Sequence, residues 1–415
     1  MQNFLKNKTL RVLALFSTLL SSSIHATELD LEMTGQEYTQ ILKKIPFQKN
    51  NSALNKIIET GKRNLAWFST VNAHRSSDQQ LALYTPDLIV GIPIDHPKEY
   101  NEKTVLADYK TLLNELPADF KNILLSNVEL PPNHPFSTDV EYLEAVRKVD
   151  RVYQSASRWI IMKPNLDYLA QVSVKDIRGY FFLSKVENVE DKLSNWNSLN
   201  DQEKKDFNDW LISICHNNWI DKNSCQSELE NELVENSALK FYKQYLKGSQ
   251  ERYNEFYKIR GARTDLKWSS TNPLALFAPF VTPETKTIQT WLSDNIEDEW
   301  KWKDWKLKLD FTDNNFGTTH VVFTPGATPH VNGLGGNEIT MDASRPLEDY
   351  SARWTIRHEY GHTLGFPDCY VEFYDTDREM IINYQLDLND LMCSRRGHLQ
   401  ENHFNELKEN YFKYN

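Results

Sequence analysis

Positive charge is in deficit in this chain of 415 residues: 47 Lys and Arg stand against 58 Asp and Glu, a net charge of −11 at pH 7. A protein that gripped nucleic acid through its phosphates would normally be basic, so the balance argues against that role. Long apolar runs are missing too. Past the N-terminus nothing reaches the roughly 18 apolar residues that a membrane span needs. There is no internal repeat and no low-complexity tract. Cysteine is sparse, with four in all. The rest is ordinary globular composition, 40% apolar and 25% charged, in a chain long enough for two domains and a sizeable core.

The N-terminus reads as a targeting segment. Lys6, Lys8 and Arg11 precede a short apolar core, Val12 to Leu20, and Ile24-His25-Ala26 offers a cleavage site. Residues 1–26 are therefore expected to be a signal peptide, with a mature chain from Thr27 that has no membrane span and is secreted or periplasmic.

The residues that carry chemistry lie near the other end. His358-Glu359-Tyr360-Gly361-His362-Thr363-Leu364-Gly365-Phe366-Pro367-Asp368 reads H-E-x-x-H-x-x-G-x-x-D. On a helix, His358 and His362 fall one turn apart on one face, so both imidazoles can reach a single ion. Gly365 is suited to stop the helix, because only Gly enters the left-handed conformation cheaply. Asp368 can then return as a third ligand. Two His and one carboxylate would leave a zinc coordination position open, which is the layout of a catalytic site. Glu359 is placed to act on water as a base rather than on the metal. The plainer reading, two surface histidines on a helix ending in Gly, accounts for Gly365 but not for Glu359 or Asp368.

At these residues the chain resembles the metzincin clan of zinc peptidases. Most members carry a third His where this chain has Asp368; the Asp form followed by Tyr370 is similar to snapalysin-type bacterial peptidases. Asp390-Leu391-Met392-Cys393-Ser394 resembles the Met-containing turn that lies beneath the metal in that clan. The resemblance implies Zn2+ held by His358, His362 and Asp368, with Glu359 catalytic. It also implies an α+β fold of mixed sheet and active-site helix, with the smaller lower part at 365–415. Ser394-Arg395-Arg396 follows that turn, where the clan shapes a substrate pocket; plain surface arginines are the favoured reading there, and a basic pocket for acidic side chains is the alternative. One departure is Ser394, where some members have a transition-state Tyr. A thermolysin-like arrangement would instead draw its third ligand from Glu379 or Glu372.

Four cysteines in an exported chain suggest two disulfides, with three pairings open. Cys215–Cys225 and Cys369–Cys393 are favoured, the second bracing the floor of the site; Cys369 as a metal ligand is disfavoured beside Asp368.

Residues 27–265 read as mainly helical and carry no chemical motif, which leaves a pro-region, an accessory domain or a recruiting domain open. Helical patterns cover Asn101 to Ser126 with a break at Pro117, Asp139 to Tyr153, Asp201 to Trp210 and Ser227 to Tyr257. Residues 266–415 read as the metallopeptidase domain. Leu274 to Val281 is expected as a buried strand. Thr282 would cap a helix whose apolar stripe is Ile288, Trp291, Leu292 and Ile296. Trp305, Leu307, Leu309 and Phe311 alternate with charged residues, as in a half-exposed strand. Strands follow at His320 to Thr324 and Asn337 to Asp342, and Pro346 would open the zinc helix. The stretch Thr328 to Gly336 is the candidate edge strand for an extended peptide substrate. His320 and His330, and the aspartates 375, 377, 387 and 390, are expected to be surface groups.

The expected function is an exported zinc-dependent endopeptidase acting on a protein or peptide. The rivals are a zinc hydrolase for a non-protein substrate and a non-catalytic, zinc-stabilised binding or toxin-like module. An intact Glu359 argues against the module, since a structural zinc site needs no base and is usually closed by a fourth protein ligand.

Overall fold

A computed structural model describes residues 31–45, 52–85, 88, 91–269, 271 and 274–412. The expected signal peptide lies outside these residues. The described chain mixes helices with three small sheets, and Leu31–Asn415 forms one compact unit. Among the described residues no helix is long and apolar enough to cross a membrane.

The first sheet runs β1 (Lys98–Tyr100), β10 (Met380–Gln385), β9 (Tyr370–Asp375), all antiparallel. The second runs β2 (Lys267–Ser269), β3 (Ala275–Val281), β5 (Trp305–Thr312), β4 (Lys301–Trp302), with β3 and β5 parallel. The third runs β6 (His320–Thr324), β8 (Glu338–Asp342), β7 (His330–Val331), with β6 and β8 parallel and β7 antiparallel at the edge. Val281 N–H donates to the Thr319 carbonyl at 2.8 Å, which joins the second sheet to the third.

The periodic stretches form as their patterns dictate. Trp305, Leu307 and Leu309 turn into the core while Lys306 and Asp310 face water. On the helix Asp139–Met162, Tyr142, Val146, Val149 and Tyr153 are all buried on one face. Helix boundaries depart from the expected ones where a stronger cap lies nearby. Thr285, not Thr282, caps Lys286–Leu292, its hydroxyl accepting from Ile288 N–H at 3.3 Å. The zinc-motif helix starts at Tyr350 rather than Pro346, because the Asp349 carboxylate accepts from Ser351 N–H at 2.8 Å. Ser227 to Tyr257 is two helices, broken at Asn236, which sits at φ 54.

The boundary at residue 265 does not divide the packing. Ile94, Ile177 and Phe256 share one core with the β-strands and with Tyr360, Phe366 and Met392. Lys98 and Tyr100 of β1 pair with Asn383 and Ile381 of β10. Arg158 grips Glu372 through Nε–Oε1 at 2.5 Å and Nη2–Oε2 at 2.6 Å, with 4% and 7% of the side chains exposed. The Tyr384 hydroxyl accepts from Ile177 N–H at 3.1 Å and donates to Asp176 at 3.0 Å. Both favoured disulfides are present, Cys215–Cys225 with Cα atoms 5.8 Å apart and Cys369–Cys393 with Cα atoms 4.6 Å apart.

Candidate metal centre

The motif helix, Tyr350–Thr363, delivers two imidazoles to one point. It ends at Gly365, φ +93, where Phe366 N–H bonds the Gly361 carbonyl (3.1 Å) and Gly365 N–H bonds the His362 carbonyl (2.9 Å). That bond pair is a Schellman stop. A side chain at residue 365 would also meet the Arg260 carbonyl at 2.9 Å. The turn sends the chain back so that Asp368 reaches both histidines.

The three ligand atoms then form a small triangle. His358 Nε2 lies 3.1 Å from His362 Nε2, and Asp368 Oδ1 lies 3.1 Å from the first and 3.4 Å from the second. Zinc bonds of 2.0–2.1 Å at tetrahedral angles place ligand atoms about 3.3 Å apart. Each imidazole has its other nitrogen committed. His358 Nδ1 donates to the Leu391 carbonyl at 3.0 Å, and His362 Nδ1 donates to the Phe366 carbonyl at 2.8 Å. A carbonyl can only accept, so each Nδ1 carries a proton and each ring faces the centre with Nε2, whose lone pair becomes available there once the ring is neutral. Asp368 Oδ1 is buried with no hydrogen-bond partner among the described residues. Three lone pairs aimed at one another repel unless a cation or a proton lies between them, so the donor set fits a zinc ion.

The electrostatics agree. Burial alone would lower both imidazoles, yet the Asp368 carboxylate outweighs it, raising His358 and pushing His362 up to about 10. Burial raises Asp368, but His362 and His358 hold it far below the usual carboxylate range. Glu359 is buried beside them and moves upward, chiefly because its charge is desolvated. Its Oε2 also has no partner among the described residues.

The turn predicted beneath the centre is there. Asp390 Oδ1 accepts from Met392 N–H at 2.8 Å, and the Asp390 carbonyl accepts from Cys393 and Ser394, each at 3.1 Å. Met392 packs on the motif helix at Gly361, where a side chain would come within 2.4 Å of the Met392 sulfur. The Cys369–Cys393 bridge ties the residue after Asp368 to this turn, so Cys369 holds sulfur, not metal.

The other sequence candidates go elsewhere. Glu372 is taken up by Arg158, and Glu379 occupies the β9–β10 turn at φ 52. Arg395 is not a free cation offered to substrate. It is buried, pairs with Glu37 at 3.1 Å and lies over the Trp354 ring, 5.7 Å from its centroid. Trp354 in turn stacks on His358 at 4.7 Å, so these two side chains stand where the pocket was expected. The Ser394 hydroxyl donates to Glu32 at 3.1 Å. Of Thr328 to Gly336 only His330–Val331 is strand; Gly335 N–H pins the remainder to the His362 carbonyl at 2.8 Å. His320 pairs with Glu338 at 3.4 Å. Two of the four aspartates are not surface groups: Asp375 is buried and accepts from the Asp377 and Arg378 N–H groups, and Asp390 is buried as well.

Sequence reasoning missed Trp354, the Leu391 and Phe366 carbonyls, and the carboxylates Glu32 and Glu37. Trp354 had a signal, since it stands one turn before His358 on the same helical face. Comparison with protein families, with curated proteins and with solved structures finds no match for this chain.

Proposed function

We propose that the chain is an exported zinc-dependent endopeptidase. One observation carries the reading: two Nε2 lone pairs and one carboxylate oxygen converge at 3.1–3.4 Å beside a buried, unpartnered Glu359. A zinc ion held by His358, His362 and Asp368 would supply a Lewis acid that acidifies water and polarises a carbonyl. The raised Glu359 carboxylate is suited to take the proton of the attacking water at Oε2 and hand it to the leaving amine as the C–N bond breaks. Leu391 and Phe366 fix both rings so that neither rotates out of reach. The disulfides fit an oxidising compartment, which supports export.

The test compares the zinc-loaded protein with Glu359→Ala in a complex protein extract, mapping new N-termini by mass spectrometry. Cuts made only by the wild type support the peptidase. Identical maps from folded, zinc-loaded proteins would overturn the peptide-bond reading and favour a different hydrolysed substrate.

A further inference from the structure

A cavity of about 530 Å³ has Arg395 in its wall. Its walls come from the segment starting at Leu31, the residues leading into β1, the helix Asp139–Met162 and the first turn of the motif helix. Its volume falls in the range of small-molecule sites, about 300–1,000 Å³. Leu31, Met33, Ile92 and Pro93 supply an apolar side.

The charges around it do not cancel. Glu32 is consumed by Gln385 (2.8 Å), Ser394 (3.1 Å) and the Arg395 N–H (2.8 Å). Asp349 caps the motif helix, and Arg395 is held by Glu37. His96 pairs outward with Asp95 at 3.1 Å. That leaves half-buried Lys98 and exposed Arg151, both lining the cavity, and neither side chain makes a hydrogen bond or ion pair among the described residues. The Lys98 ammonium rests only over the Tyr100 ring, 5.7 Å from its centroid. Two carboxylates act on it without bonding it: Glu372, already shared by Arg158 and the Tyr100 hydroxyl, and the exposed Asp108.

We propose that this cavity binds an amphipathic organic anion, its headgroup on Lys98 and Arg151 and its apolar tail on the Leu31, Met33, Ile92 and Pro93 side. Burial, with the Arg158 guanidinium behind it, pulls the Lys98 ammonium down to about 8. An anion in the cavity would relieve that cost, whereas a cation would add to it. A neutral ligand of the same length gains the apolar contacts but leaves the ammonium uncompensated.

Calorimetric titration of the disulfide-intact chain with octanoate tests this, with octyl phosphate, octan-1-ol and octylammonium as companions. One octanoate should bind per chain. Lys98→Met, which keeps length and apolar bulk, should weaken it at least tenfold. Arg151→Gln should weaken it less, and Arg396→Gln, on an exposed arginine outside the cavity, should leave it unchanged. Tighter binding of octyl phosphate would uphold the site and identify a phosphate monoester as its headgroup. No saturable octanoate binding, equal binding of octanol, or full affinity in Lys98→Met would overturn the proposal. The readout is binding alone, so its failure is distinct from failure of the zinc reading.

Discussion

His403 donates from Nε2 to Asp390 Oδ1 at 3.1 Å, and each side chain is only 1% exposed. The direction is fixed because His403 Nδ1 accepts the Gln400 N–H at 2.9 Å. The same Asp390 oxygen holds Met392 N–H, and the intervening Leu391 carbonyl orients His358. The C-terminal helix Glu401–Tyr411 therefore reaches the metal centre through one buried pair. His403→Ala should strip Asp390 of one of its donors and cost about 2–4 kcal/mol in urea unfolding. It should also weaken zinc about 10–100-fold in a chelator competition, as loss of a supporting partner does. Wild-type stability in this variant would show the pair to be idle.

Asp368→Ala should cost more zinc affinity than any supporting residue, at least about 100-fold. Glu379→Ala should cost none, because Glu379 lies in a surface turn. Metal content after dialysis separates the two; zinc retained by the first and lost by the second would reverse the assignment.

The metal-free protein should have a characteristic pH profile. His362 is raised to about 10 against an ordinary 6.5, so the stability it contributes is complete below about 6.5 and is lost as pH climbs toward 10. Asp368 is depressed below 3.8, so its contribution is complete above about 4 and is lost on acidification. Unfolding midpoints of chelator-treated protein should thus decline from pH 6.5 to 10, and Asp368→Asn should flatten that slope. Zinc competes with the same proton, so its affinity should rise across this window. A flat wild-type profile would contradict the coupling.

The grouping of His358, His362 and Asp368 was legible because it is local: one helical turn sets His358 against His362, and one left-handed Gly returns Asp368. Strands such as Trp305–Thr312 were legible because alternate residues must face opposite sides. What sequence could not give was pairing between distant segments. Nothing near Lys98 announces Asn383 as its strand partner, and nothing near Glu32 announces Ser394. The β9–β10 hairpin was hidden for a related reason. Its second strand is buried on both faces over most of its length, so the alternation that marks a half-exposed strand is blurred there.

Residues 266–415 should not fold alone. Without the preceding chain β10 loses β1, Glu372 loses Arg158, and Phe256 and Ile177 leave the core. The fragment should show no cooperative thermal transition by circular dichroism. In the full chain, Arg158→Met should cost about 3–5 kcal/mol, since it leaves the Glu372 charge buried without its partner. A cooperatively melting fragment would restore the view of residues 27–265 as a detachable region.

The grip of Arg158 on Glu372 has a wider meaning for how the site is inherited. Glu372 belongs to the strand that begins just past Asp368, so the proposed third ligand is moored to a helix from the far half of the chain. Transplanting the short motif into another scaffold would carry the letters without the mooring. The same coupling runs in reverse: a lesion deep in the helical half should disturb the proposed metal centre while every residue of the motif stays intact.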